Sequence, residues 1–205
     1  MKIKGVVFDW AGTAVDFGCV SPVSAFREAF RRAGIDVTEE EVRAPMGLLK
    51  LDHIRTMLAM PSIAALWTEK YGSAPTHADA ERIYADFEPA LMSVLPRHCD
   101  LIPGILQTCE YLRAKEIRIG STTGFTNAMM DVVREGAAQG GYAPDCLQTA
   151  DLNGGFGRPW PYMIFSNVRA LGLKNVREVV KVGDEVTASV DEARRMSICR
   201  NHTAT

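Results

Sequence analysis

Four stretches of this sequence place side chains where chemistry could be done. Asp9 follows an apolar run, Ile3 to Phe8, that reads as a β-strand, and open α/β sheets handle their ligands at the carboxyl ends of strands. A carboxylate there can serve as nucleophile, metal ligand or both, with Gly12 and Thr13 adding turn N–H groups and a hydroxyl; the plainer alternative is a turn acceptor. Ser121, Thr122, Thr123 and Gly124 close a second strand, where hydroxyls, backbone donors and the following helix N-terminus suit phosphoryl oxygens. The same residues could simply cap a helix at 126–138. Arg158, set between Gly157 and Pro159, could hold an anionic phosphoryl group by paired N–H bonds or be a surface charge. Asp184 ends the last recognisable strand, at the same sheet edge as Asp9, and two carboxylates with open oxygen positions suggest Mg²⁺.

The elements that must position these groups follow from the hydrophobic pattern. The run at 3–8 is nearly continuous in apolar residues, as in a strand covered on both faces. Ser21 with Pro22 behind it is expected to cap a first helix whose stripe is Val23, Phe26 and Phe30, with Gly34 ending it. Thr38 with Glu41 makes a capping box, Leu48, Leu51, Ile54 and Leu58 carry the next helical stripe, and Thr76 caps a run to about Val94. No strand is expected from 21 to 98. Beyond Gly104 helices and strands alternate: helix 105–115, strand 116–123, helix 126–138, strand 146–149, helix 161–170, strand 176–184 and a helix at about 187–196. The fold class is therefore α/β, a Rossmann-like parallel sheet with an all-helical cap inserted after the first strand. The sheet domain is expected to comprise 1–19 and 99–205, the cap 20–98, with strand order 3-2-1-4 in sequence numbering and hinges near 18–20 and 98–103.

Composition excludes several classes. The chain has 205 residues, 23 basic and 25 acidic, with 47% apolar and 23% charged, which fits an ordinary globular domain and not a disordered, collagen-like or coiled-coil protein. A net charge of −2 offers no basic field for polyanions, so nucleic acid is not expected as a partner. Five widely spaced cysteines without a C-x-x-C pair argue against a disulfide scaffold or structural zinc. No run reaches the ~18 apolar residues a membrane span needs and no signal peptide is evident, so the expected location is the cytoplasm, with no membrane partner.

FDWAGT, GSTTG, GRPWP and VGDE, at these separations, resemble the four catalytic motifs of the haloacid dehalogenase-like hydrolases. Most phosphatases of that superfamily carry a second aspartate two positions after the nucleophile, where this chain has Ala11. That feature, with the helical segment MGLLKLDH, resembles the phosphonoacetaldehyde hydrolase (phosphonatase) family over residues 1 to about 196. The resemblance implies hydrolysis of the phosphorus–carbon bond of phosphonoacetaldehyde to acetaldehyde and phosphate, with Mg²⁺, by a homodimer paired through the cap. It implies Asp9 as nucleophile and magnesium ligand, the Ala11 carbonyl and Asp184 as further ligands, and Lys50 as the Schiff-base amine. Met46, Gly47 and His53 would shape and protonate the site, with Ser121, Thr122 and Arg158 binding the phosphoryl group. On a helix Lys50 and His53 are i and i+3 and share a face.

Some features depart from the family pattern. Ala188 replaces a second acidic residue that helps hold magnesium, and Phe125 stands where the family has tyrosine. The stretch DLNGGFGRPWP is glycine-rich, and the end, SICRNHTAT, is unlike a buried strand, so the strand near 178–182 is expected at a sheet edge that a partner covers or that lowers stability. Two alternatives follow: a catalytically impaired or inactive homologue that binds or dimerises, or a small-molecule phosphatase or dehalogenase. Ala11 counts against the phosphatase, and Lys50 with His53 against both enzymes.

Overall fold

Every residue of Gly5–Phe8 (β1) is buried, which is what its unbroken apolar run requires of a strand covered on both faces. The computed structural model describes residues 2–184. β1 pairs in parallel with Arg118–Thr122 (β2) on one side and Val179–Val182 (β4) on the other, and Cys146–Gln148 (β3) lies outside β2. The order is β3-β2-β1-β4, as the sequence predicts. Phe8 stands opposite Ser121 and Val182, so the residues just beyond the strands, Asp9, Thr123 and Asp184, emerge at one edge of the sheet. Among the described residues β4 pairs with β1 alone, and Val180 on it is 40% exposed.

Between β1 and the next sheet strand the chain forms Val20–Arg32 (α1), Glu39–Arg43 (α2), Lys50–Leu58 (α3), Pro61–Tyr71 (α4), His77–Val94 (α5) and then Ile105–Ala114 (α6). Asn127–Gln139 (α7) and Tyr162–Ala170 (α8) separate the remaining strands. The first five helices make the cap, and no strand interrupts them. The Thr38 capping box forms, and the Thr76 cap proves to be one as well: each threonine accepts from the backbone N–H of Glu41 or Asp79, whose side chain reaches back. The cap has its own apolar interior, with the Phe26 ring stacked on Phe87 at 4.2 Å and Met57, Ile63 and Trp67 fully buried. Burying each such side chain contributes ~1.5–3 kcal/mol.

Two expectations change. α1 begins at Val20, and Ser21 does not cap it; Cys19 takes the cap position at φ 52°. The orphan N–H groups of the first turn go instead to Asp16, whose carboxylate accepts from Val20 N at 3.1 Å, Ser21 N at 3.0 Å and Ser21 Oγ at 2.6 Å. The expected strand at 176–184 is shorter, because Val176–Glu178 form a 3₁₀ turn before β4. The helix expected at 187–196, Ala188 and the C-terminal stretch lie outside the described residues.

The two crossings between sheet and cap are tied to each other. Val15 bridges Leu101 in antiparallel fashion, Asp16 N donates to Asp100 O at 3.2 Å, and Ile102 N donates to Ala14 O at 2.9 Å. His98 Nδ1 lies 3.4 Å from the Asp16 carboxylate. Asp16 thus pins both crossings and the start of the first cap helix at once.

Candidate active site

Asp9 leaves β1 with its N–H donating to Val182 O at 2.9 Å and its Oδ1 accepting from Trp10 N at 2.8 Å. The chain then turns sharply: Thr13, Ala14 and Val15 all donate backbone N–H bonds to Trp10 O. Gly12 sits at φ +82°, and a β-carbon there would lie 2.0 Å from Asp184 Oδ2, so conformation and space both demand glycine. Thr13 Oγ1 donates to Asp184 Oδ1 at 2.9 Å, joining the two carboxyl-bearing loops.

Arg158 enters from the loop before α8 and is 4% exposed. Its terminal nitrogens donate to Asp9 Oδ2 at 3.1 Å and Oδ1 at 2.6 Å, and one also donates to Thr122 Oγ1 at 2.9 Å. This is the paired geometry that planar guanidinium favours for carboxylate and phosphoryl groups alike. Burial by itself would raise the Asp9 pKa. The charges of Arg158 and Lys181, with the Arg158 and Trp10 hydrogen bonds, outweigh it and hold Asp9 below the ordinary carboxylate range.

From the cap, α3 brings Lys50 and His53 down on one face, both buried. Lys50 Nζ lies 4.8 Å from the Phe125 ring centroid and 5.8 Å from that of Phe26. Desolvation lowers its pKa from 10.5 to about 8, against the opposing pull of Cys19 and Asp9 and with help from Arg158. His53 stacks on Phe26 at 3.9 Å, and its ring nitrogens make no hydrogen bond of ordinary geometry, the Val42 backbone being the polar group beside it. Burial, and then the Lys50 charge, push the His53 pKa down to about 3. The imidazole is therefore neutral at ordinary pH, and Lys50 is the group on this face that changes protonation near neutrality.

Asp9, Ala11, Met46, Gly47, Lys50 and Arg158 line one small cavity together with Cys19, Pro22, Thr123, Gly124 and Phe125. Its volume is about 20 Å³, room for about one water, so cap and sheet meet with almost nothing between them. A larger cleft of about 520 Å³ opens at the far end of the sheet among Lys2, Lys4, Arg118 and Lys174. It holds neither the strand-end carboxylates nor Arg158, which lie at the opposite edge of the sheet, Asp9 and Arg158 lining the smaller cavity.

Not every residue singled out from sequence reaches that cavity. Thr122 stands behind it, acting through Arg158, while Thr123 lines it. The Ser121 hydroxyl donates to Cys146 O at 3.0 Å and does not reach the cavity. Asp184 sits beside it with Thr13 and Cys19. Sequence reasoning missed Cys19, whose Sγ lies 3.5 Å from Asp184 Oδ2 and whose thiol pKa is raised by burial and by the Asp184 and Asp9 charges. A lone cysteine in a loop gives no signal before the fold places it. It also missed Asn167, which grips Ser121 by accepting from its N–H at 3.2 Å and donating to its carbonyl at 2.9 Å.

Among the described residues no three His, Cys, Asp or Glu side chains are placed to hold a metal together. The donors present are of the right kind for a hard cation: the Asp9 and Asp184 carboxylates and the Ala11 carbonyl, which accepts no backbone hydrogen bond among the described residues. Both Asp9 oxygens are engaged by Arg158, so a cation there would have to share or displace that pairing.

Residues 3–195 match the haloacid dehalogenase-like hydrolase family model. A bifunctional phosphonoacetaldehyde hydrolase/aminoethylphosphonate transaminase of Clostridioides difficile is 49% identical over 186 residues, which are 91% of this chain and 29% of that protein. A phosphonoacetaldehyde hydrolase of Bacillus cytotoxicus is 46% identical over 187 residues, 91% of this chain and 70% of its own length. The crystal structure of a phosphonoacetaldehyde hydrolase-like protein from Oleispira antarctica superposes with a TM-score of 0.90 at 34% identity, covering 95% of this chain and 70% of the other.

Proposed function

Because the chain belongs to the haloacid dehalogenase-like hydrolases, and within them to the phosphonoacetaldehyde hydrolase family, we propose that it hydrolyses phosphonoacetaldehyde to acetaldehyde and phosphate. The observation that carries this reading is a buried amine, Lys50, lining one small cavity together with a buried Asp9–Arg158 pair. A phosphorus–carbon bond has no leaving oxygen to protonate, so a general acid at position 11 would have no task, and Ala11 has no side chain to supply one.

The chemistry runs through the chain's own residues. The neutral Lys50 amine adds to the aldehyde carbon, and the carbinolamine takes up a proton from solvent as it loses water, giving a protonated imine. An amine whose pKa is about 8 is free often enough near neutrality for that addition. An Asp9 oxygen then attacks phosphorus, the phosphorus–carbon bond breaks, and its electron pair flows into the imine to leave an enamine on Lys50. Arg158, already forked toward Asp9, is placed to hold the phosphoryl oxygens as they replace the carboxylate as its partner. The enamine takes a proton on carbon, and water releases acetaldehyde from Lys50 and phosphate from Asp9. The closed cap keeps bulk water from the imine until then. Neutral His53, stacked on Phe26, offers at most a ring N–H.

Asp9, the Ala11 carbonyl and Asp184 would hold Mg²⁺, which would supply positive charge against the phosphoryl group. The family resemblance also supports a homodimer; Met57, Ile63 and Trp67 of the cap are buried in the cap interior and supply no surface for it. No helix among the described residues is long and apolar enough to cross a membrane. The test is phosphate release from phosphonoacetaldehyde with and without Mg²⁺. Release that depends on Mg²⁺ and is lost in Asp9→Asn supports the reading. A folded protein that releases none would favour the inactive-homologue alternative.

A further inference from the structure

The approach of the cap to the sheet is limited at two glycines. A β-carbon built on Gly124, in the loop after β2, would lie 2.8 Å from Leu48 O and 3.0 Å from Gly47 O, both backbone atoms of the cap turn. One built on Gly157, just before Arg158, would lie 2.6 Å from Leu49 Cγ. Neither glycine has positive φ, so backbone conformation does not ask for glycine at either place. Close approach does. The cap turn they receive, with Gly47 at φ +93°, ends at Leu49, and Lys50 is the next residue, the first of α3. Lys50 is itself 6% exposed and wedged near two aromatic rings, so its side chain has little freedom to make up for a displaced turn.

We propose that Gly124 and Gly157 are positioning residues, a side-chain-free seat on the sheet that sets how far the cap turn 47–49 descends and so holds Lys50 over Asp9. The two halves of the seat differ in kind. Gly124 meets rigid carbonyls, and nothing in the cap can be trimmed to make room for a methyl group there. Gly157 meets a leucine side chain, which can be trimmed. The inference deepens the phosphonoacetaldehyde hydrolase reading, but part of its test does not depend on that activity.

The experiment compares the full-length chain with Gly124→Ala, Gly157→Ala, Leu49→Ala and Leu49→Ala/Gly157→Ala. Each is checked by circular dichroism and melting, then by two readouts: kcat and KM for phosphate release, and the rate at which acetic anhydride labels Lys50, followed by mass spectrometry. A displacement near 1 Å costs about 10²-fold in reactions that depend on alignment. Gly124→Ala is therefore expected to fold, to lower kcat by ~10- to 100-fold with a smaller change in KM, and to label faster at Lys50. Gly157→Ala should move both readouts the same way, and adding Leu49→Ala should restore most of each, whereas a merely structural role would leave Lys50 labelling unchanged. Wild-type kcat and labelling in folded Gly124→Ala would overturn the proposal. If Gly124→Ala does not fold, the Gly157 series decides: no effect, or no relief by Leu49→Ala, overturns the seat. Absence of phosphate release in the wild type would remove the functional reading, and the labelling comparison would still decide the seat.

Discussion

Replacing Lys50 by methionine should make the protein more stable while abolishing its chemistry. Lys50 is 6% exposed, and burial lowers its pKa from 10.5 to about 8. At about 1.36 kcal/mol per tenfold change in proton affinity, holding the ammonium in the folded state costs about 3 kcal/mol at pH 7. Methionine has a similar length and no charge, so Lys50→Met should gain roughly that amount, less what is lost when Asp9 and Cys19 no longer face a cation. For a chain of this size 1 kcal/mol moves Tm by ~2–4 °C, so a rise of several degrees is expected. The pH dependence carries the sharper signature. The folded pKa is the lower one, so the unfolded chain binds the extra proton between pH 8 and 10.5, and wild-type stability should climb through that window relative to the variant. Below pH 8 the gap between the two should be constant. Urea titrations of both proteins from pH 7 to 10.5 measure it. A methionine variant that is less stable than wild type at pH 7, or that tracks wild type in parallel through that window, would refute a depressed, buried amine and with it the basis for imine formation.

Arg158→Lys keeps a cation but loses the fork to both Asp9 oxygens, so turnover should fall about 10²-fold in the phosphate-release assay; near-wild-type turnover would contradict the paired role. His53 is held at about 3 against an ordinary 6.5, so the unfolded chain protonates first and stability should be full above pH 6.5 and decline toward pH 3, by up to about 1.4 kcal/mol per pH unit. His53→Leu should flatten that limb in urea titrations from pH 7 to 4, and an unchanged slope would argue against the buried neutral ring. Asp16→Ala removes the acceptor for Val20 N, Ser21 N and Ser21 Oγ and should cost about 1–2 kcal/mol by denaturant titration, against almost nothing if those bonds are incidental.

The sheet order, the uninterrupted helical cap, the Thr38 capping box and the Thr76 cap were legible because each rests on a local signal: apolar runs, helical period, or a threonine just ahead of a helical run. What escaped depended on contacts between distant segments. Asp16 caps α1 only because the chain doubles back through the left-handed residues Asp16 and Cys19, at φ 54° and 52°, a path the residue types at 16–19 do not announce. In the site the same division holds. Asp9 and Arg158 could be picked out because a strand end and a Gly–Arg–Pro setting mark them, and the cap residues because of MGLLKLDH. Whether Ser121, Thr122 or Thr123 faces the cavity turns on the pleat and on the Asn167 grip, which adjacent hydroxyls do not encode. The neutral state of His53 likewise comes from Phe26 and Lys50 packing around it.

In the proposed reaction Lys50 and Asp9 act together, one on the aldehyde and the other on phosphorus. The most direct measurement is borohydride reduction in the presence of phosphonoacetaldehyde, followed by peptide mapping and a parallel assay of phosphate. The expected result is irreversible loss of activity with the added mass on Lys50, and neither trapping nor turnover in Lys50→Arg, whose guanidinium stays protonated. Phosphate release that survives borohydride with no mass on Lys50, or that persists in Lys50→Arg, would contradict it.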